Sequence, residues 1–194
     1  MKILIELPTW LGDGVMTTPA IENLLHHYGE AEVYLVGSFI SVEALKNNPK
    51  VIKTYVLDKN FLNTFKVLQS LEEFDVFFSF RGSFRARLMK LFIKSKVKYQ
   101  FNKNIYLEGH QVEKYNNFIN ESLKINSIPN SLKLNAKNKK EERTKKLLGL
   151  NPGASYGSAK RWHPRRFSEV AIELSTRYDI IIFGGVREKE IAKD

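Results

Sequence analysis

Short apolar runs alternate along this chain with stretches in which apolar residues return every three or four positions. Residues 2–7 (KILIEL) read as a buried first strand, followed by the loop PTWLGDG. A helix comes next, with Ala20, Ile21, Leu24, Leu25 and Tyr28 on one face. Pro19 leaves two starts open for it. A start at Gly14 sacrifices a backbone hydrogen bond at the proline, whereas Thr18 as N-cap puts Pro19 in the first helical position, where nothing is lost. Further strands are predicted at 32–36, 51–57, 75–80 and 97–101. Helices are predicted at 40–47, along Phe61, Phe65, Leu68 and Leu71, along Phe84, Leu88, Leu91 and Phe92, and at 112–123. Strands and helices that alternate through short connections predict an α/β fold, a doubly wound parallel sheet.

From residue 124 the pattern loosens into the polar stretch INSIPNSLKLNAKNKKEER, which reads as a linker. Its charged half, 137–146, is read as the first helix of a second domain. A strand at 147–150, a long loop, a helix with Phe167, Val170, Ala171 and Leu174 on one face, and a strand at 179–183 follow. Gly184 and Gly185 then turn the chain into a last helix. The predicted division is 1–135 and 136–194. The second part, with two strands and an unfinished helix, is expected to be an incomplete domain.

Composition narrows the picture modestly. With 194 residues, 43% of them hydrophobic, the chain can bury a real core. There is no cysteine, hence no disulfide framework. The first apolar run is broken by Glu6 and Pro8 and is too short for a signal peptide or a membrane span, so a cytoplasmic protein is expected. A net charge of +10 suits nucleic acid, an anionic membrane surface or a phosphorylated substrate equally. A basic nucleic-acid-binding module is the alternative from a different class. It lacks the RRM, helix-turn-helix and zinc patterns, and its basic residues are spread along the chain.

Chemistry-bearing residues cluster in three loops. Residues 151–167 (NPGASYGSAKRWHPRRF) run from a strand into a helix. The small residues let backbone approach a ligand. Ser155 and Ser158 offer hydroxyls, and Lys160 and Arg161 put positive charge beside a helix start. A diphosphate fits this loop, although the P-loop spacing is absent. In the first loop Asp13 is the sole carboxylate, at the carboxyl end of the first strand, where open parallel sheets bind ligands. It is either a general base or a helix cap. Gly12-x-Gly14-x-x-Thr17 only partly matches a dinucleotide fingerprint, and the second strand ends without an acid for a ribose, which argues against an oxidoreductase. Arg81, Ser83 and Arg85 follow another strand. Arg81 and Arg85 can grip phosphate, or Ser83 can cap a helix beside exposed arginines.

The string PGASYGSAKRW before a proline-containing helix start, together with WLGDG near the amino terminus, resembles the bacterial heptosyltransferases, family 9 of the glycosyltransferases. The resemblance covers essentially the whole chain. It implies the GT-B fold, two Rossmann-like domains of which the second is incomplete here. The implied activity is inverting transfer of L-glycero-D-manno-heptose from ADP-heptose to a heptose of the lipopolysaccharide inner core. Another acceptor within the same family is the nearest alternative. In this reading Asp13 is the general base. Ser155 and Lys160 neutralise the leaving diphosphate with help from Arg161, Glu188 holds the ribose, and Arg81, Ser83 and Arg85 face the acceptor. No metal, no cofactor and no nucleic acid are expected. The partners are ADP-heptose, a substrate, and the acceptor at the inner membrane surface, where the enzyme would be peripheral. A chain that stops at Asp194 is expected to be inactive alone.

Overall fold

The computed structural model describes residues 1–58, 60–136, 143–154 and 158–185. They belong to two compact units, Met1–Lys137 and Asn138–Asp194.

The first unit is a five-stranded parallel sheet. Its strands are β1 (Lys2–Glu6), β2 (Glu32–Gly37), β3 (Val51–Val56), β4 (Phe74–Ser79) and β5 (Ser95–Gln100), in the order β3-β2-β1-β4-β5. The helices are α1 (Leu11–Met16), α2 (Thr18–Tyr28), α3 (Phe39–Leu45), α4 (Phe61–Gln69), α5 (Phe84–Phe92) and α6 (Gln111–Leu123). Because side chains alternate along a strand, Ile3, Ile5 and Leu7 pack with α2, α3 and α6, whereas Leu4 joins Tyr34, Val36, Leu68 and Met89 on the other face. Both faces are therefore covered, as a parallel sheet requires. An aromatic group anchors the α6 side. Phe80 meets Tyr115 and Phe118 edge-on at 5.4 and 5.6 Å. Each such buried ring contributes about 1.5–3 kcal/mol.

The segment after β1 is richer than a loop plus one helix. A separate six-residue helix, α1, carries Leu11 to Met16, and α2 begins at Thr18 with Thr17 as N-cap and Pro19 in its first turn. Pro19 has no N–H for the carbonyl of Val15, so a helix running through it would lose that bond and be kinked or broken. The Thr18 hydroxyl donates to that carbonyl at 2.8 Å, and the Thr17 hydroxyl donates to Gly14 O at 2.7 Å. The break thus leaves neither carbonyl unpaired.

Two helices form where expected, but each leaves part of its expected inward face exposed. In α5 the buried positions are Ala86 and Met89, with Ile93 just beyond, while Phe84 and Leu91 are exposed. In α4, Leu68 of the expected face is buried, with Leu71 just beyond the helix and Thr64 beside it, while Phe61 is exposed. The largest side chains at these helix starts stand at the sheet edge rather than over the sheet.

Residues 125–136 have no regular secondary structure, yet they are docked rather than loose. Asn116 and Asn120 donate to Ser127 O at 2.7 and 2.9 Å, Asn23 donates to Ile128 O at 3.0 Å, and Lys133 N donates to the Thr18 hydroxyl at 3.1 Å. Side-chain amides thus bind the backbone of this part of the expected linker to α2 and α6.

In the second unit, β6 (Lys146–Leu150) and β7 (Tyr178–Ile182) pair in parallel, and α7 (Pro164–Ser175) lies between them in sequence. Lys146 opens β6 and residues 143–145 are not helical, which corrects that end of the helix expected at 137–146. Residues 137–142 and the helix expected after Gly185 lie outside the described residues.

Candidate functional site

In the first unit the chain leaves β1 toward β2 on one side and returns to β4 on the other. The carboxyl ends of β1 and β4 therefore flank the crevice where open α/β sheets take ligands. Asp13 and the residues 80–83 both emerge there.

Asp13 lies in the first turn of α1, whose N-cap position is Trp10. It is partly buried, and among the described residues its carboxylate makes no hydrogen bond or ion pair. It is thus not the cap of its helix. The segment beneath is fixed from the side. The Ser41 hydroxyl donates to Pro8 O at 2.5 Å and the Ser38 hydroxyl to Thr9 O at 2.7 Å. Tyr115 on α6 reaches the same place. Burial, and after it the Asp13 carboxylate, push the Tyr115 phenol above the usual tyrosine range.

Across the crevice, Glu6 is fully buried. Its carboxylate accepts from the Ser79 hydroxyl at 2.6 Å and from Arg81 Nη1 at 3.1 Å. Glu6 and Ser79 are paired positions of β1 and β4. Burial raises the Glu6 carboxyl above the ordinary carboxylate range, while Arg81, the Ser79 hydroxyl and Arg85 pull it back. The Arg81 loop is held as well. Its backbone N–H donates to the Ser79 hydroxyl at 3.2 Å, its carbonyl accepts from Gln100 at 3.2 Å, and a β-carbon on Gly82 would come within 3.2 Å of Phe101 O.

The other acceptor-side candidates have structural work. Ser83 caps α5, accepting from Ala86 N at 3.3 Å. Arg85 donates to Asp58 O and to the Thr64 hydroxyl at 2.7 and 2.6 Å, tying α5 to the turn before α4. Around this edge Trp10, Phe39, Phe61 and Phe84 stand at the starts of their helices, each more than half exposed.

In the second unit, the chain turns after β6 through the buried Pro152. Arg161 folds back so that Nε and Nη2 both donate to Ala154 O, at 3.0 and 2.8 Å. Its guanidinium braces the loop. Lys160 ends a single 3-10 turn, exposed, and among the described residues nothing pairs with its ammonium. Trp162 packs edge-on against Phe167 at 5.3 Å, and His163 precedes Pro164 at the start of α7. Ser155 and Glu188 lie outside the described residues.

Sequence reasoning passed over Glu6 and Tyr115. Glu6 had a signal, since a charged residue inside an apolar strand must find a partner. Nothing in the spacing of α6 singles out Tyr115 from its aromatic neighbours.

Comparison with known proteins extends this geometry. A profile of glycosyltransferase family 9 (heptosyltransferase) matches residues 65–194, more than half of the chain. The chain is 42% identical to lipooligosaccharide heptosyltransferase 2 of Campylobacter jejuni over 204 aligned positions, covering all of this chain and 63% of that protein. It therefore spans just under two thirds of that relative's length. Among solved structures, a family 9 glycosyltransferase from Veillonella parvula superposes with a TM-score of 0.79 at 18% identity, covering 99% of this chain and 64% of that one. The Escherichia coli ADP-heptose lipopolysaccharide heptosyltransferase II superposes with a TM-score of 0.77 at 21% identity, covering 100% and 67%. The α/β architecture is thus that of the GT-B heptosyltransferases, of which the chain covers a part. Among the described residues, no helix is long and apolar enough to cross a membrane.

Proposed function

The chain belongs to glycosyltransferase family 9, and on that premise we propose that it serves inverting transfer of L-glycero-D-manno-heptose from ADP-heptose to a heptose hydroxyl of the lipopolysaccharide inner core. The observation that carries the proposal is the 42% identity, along the entire chain, to lipooligosaccharide heptosyltransferase 2. The position of Asp13 supports it, a carboxylate at the β1/β4 crevice with no hydrogen bond or ion pair among the described residues.

In this reaction the acceptor oxygen attacks the anomeric carbon of the donor, and its proton passes to the Asp13 carboxylate. The bond from the anomeric carbon to the diphosphate oxygen breaks, and ADP departs with the electron pair. Proton transfer to Asp13 comes late, once bond formation has acidified the acceptor hydroxyl. Lys160, exposed and without a partner among the described residues, meets the negative charge that builds on the diphosphate. Arg161 shapes the loop that presents Lys160. Ser155 completes the diphosphate contacts and Glu188 holds the ribose, both carried over from the family resemblance. Arg81 faces the acceptor, with Ser83 and Arg85 fixing the helix behind it. The protein works in the cytoplasm, at the inner membrane surface where a lipid-borne acceptor lies.

The test is transfer by the full-length protein. ADP-heptose and an inner-core acceptor should yield one ADP per heptose added, seen as the mass gain of the acceptor, with the anomeric configuration inverted. Inverted transfer to a different sugar acceptor would replace the acceptor named here. No transfer from ADP-heptose to any inner-core acceptor would remove the assignment.

A further inference from the structure

Glu6 has a cost that its surroundings do not explain. It sits on the central strand, between Ile5 and Leu7, and is fully buried. A buried ion pair is commonly no more stabilising than apolar residues of the same volume. Pinning β1 to β4 does not require a charge either, since backbone pairing already joins Glu6 to Ser79. What the carboxylate does do is hold Arg81. One N–H of that guanidinium is bonded to Glu6, and among the described residues no acceptor takes the others. The side chain is 18% exposed, so it still opens to solvent. It does so at the carboxyl end of β4, at the same crevice as Asp13.

We infer that Glu6 is a positioning residue, which aims Arg81 so that its free N–H groups receive an oxyanion, phosphate or carboxylate, carried by the sugar acceptor. This rests on the reading of the first unit as the acceptor side. The guanidinium is a planar fork with five donors that matches an oxyanion two bonds at a time, provided its plane is fixed. Fixing the plane is what a buried carboxylate on one edge achieves, and the anchored loop backbone supports it from below. A lysine here would offer a point charge with no second edge to anchor. The proposal predicts that the charge on Glu6 matters to acceptor recognition although Glu6 touches no substrate.

Two measurements on the full-length protein test it. In the first, the side-chain Nε–H signal of Arg81, assigned by its loss in Arg81→Lys, is followed by NMR while inorganic phosphate is added. The wild type should show a saturable shift, and Glu6→Gln should weaken the fitted affinity about tenfold, the size of one charge-assisted contact. The absence of any shift in the wild type, or equal affinity in Glu6→Gln, overturns the inference. The second measurement is steady-state transfer to an anionic acceptor and to the same acceptor with its phosphates removed and carboxylates reduced. Glu6→Gln should raise the KM of the anionic acceptor about tenfold relative to the neutral one, leave the donor KM within about twofold, and add nothing in an Arg81→Ala background. Equal losses with both acceptors, or losses that add to those of Arg81→Ala, make Glu6 a structural residue only. Failure of the underlying reading looks different: no heptosyl transfer at all, with the phosphate-induced shift of Arg81 intact.

Discussion

Ser41 stands 3.3 Å, by both its Cβ and its Oγ, from the point where a β-carbon on Gly14 would lie. Ser41 cannot easily retreat, because its hydroxyl is bonded to Pro8 O. Glycine at position 14 is therefore a condition for α1 to lie against α3. Gly14→Val should destabilise the protein by about 1–3 kcal/mol through overpacking. It should also lower turnover, since Asp13 is the adjacent residue. Denaturant titration together with kcat checks both; a loss of stability with turnover unchanged would separate the packing from the chemistry.

Asp13 gives up no hydrogen bond when its charge is removed. Asp13→Asn should leave the melting temperature and ADP binding essentially as they are and reduce turnover by roughly 10²–10⁴-fold. Thermal melts, ADP calorimetry and initial rates of the full-length variant measure this. Turnover near wild type would exclude Asp13 as the base.

Lys160 is free in the described structure, so its charge is available to the transition state. Lys160→Ala should lower kcat by more than it raises the donor KM, because charge on the diphosphate grows as the glycosidic bond breaks. An effect confined to KM would make the contact one of ground-state binding.

The pH dependence of stability carries a mark of Glu6. Its folded-state carboxyl is raised above its ordinary value of 4.5, by burial first. The native state therefore holds the proton more tightly than the unfolded chain does. This contribution is fully present below 4.5 and is lost as pH rises through the raised value. Glu6→Gln should flatten that decline. Urea unfolding at several pH values between about 4 and 8 reads it, and identical slopes for both proteins would contradict it.

Asn116 is buried, donating to Ser127 O and accepting from Asn23, both at 2.7 Å. Asn116→Ala should cost about 1–3 kcal/mol through the partners left behind. It should also speed tryptic cleavage after Lys124. In the wild type, cuts should fall on the carboxyl side of residue 135 before any appear between 125 and 133. Early cleavage at Lys124 in the wild type would show that the asparagine contacts do not hold this segment.

What could be read from the sequence follows from what each residue's neighbours decide. Strand and helix positions were legible because apolar spacing is local, and KILIEL or VYLV can be buried in few ways. The inward face of α5 was not, nor was the exposure of Phe61 at the start of α4. Phe61 and Phe84 carry the apolar surface that spacing rewards, but they occupy first-turn positions at the sheet edge, where the fold has no core to offer. The short helix around Asp13 was hidden for a related reason. It depends on Ser38 and Ser41, from the start of α3 some thirty residues away in sequence, and on hydroxyls at 17 and 18 that resolve the proline. The loop residues Asp13, Arg81 and Lys160 could be flagged because charged groups at strand ends stand out. Glu6 could not be assigned a partner, since its pairing with Arg81 exists only once β1 and β4 are neighbours.

The break between α1 and α2 makes the two helices mechanically separate. With the Val15 and Gly14 carbonyls satisfied by threonine hydroxyls, the joint can flex without orphaning a backbone group. The direction of α1 is then set by the serine pair, by Gly14 against α3 and by Tyr115 of α6 beside Asp13. The core under α2 can drift in sequence, through repacking of Leu24 or Leu25, while the carboxylate at position 13 keeps its aim.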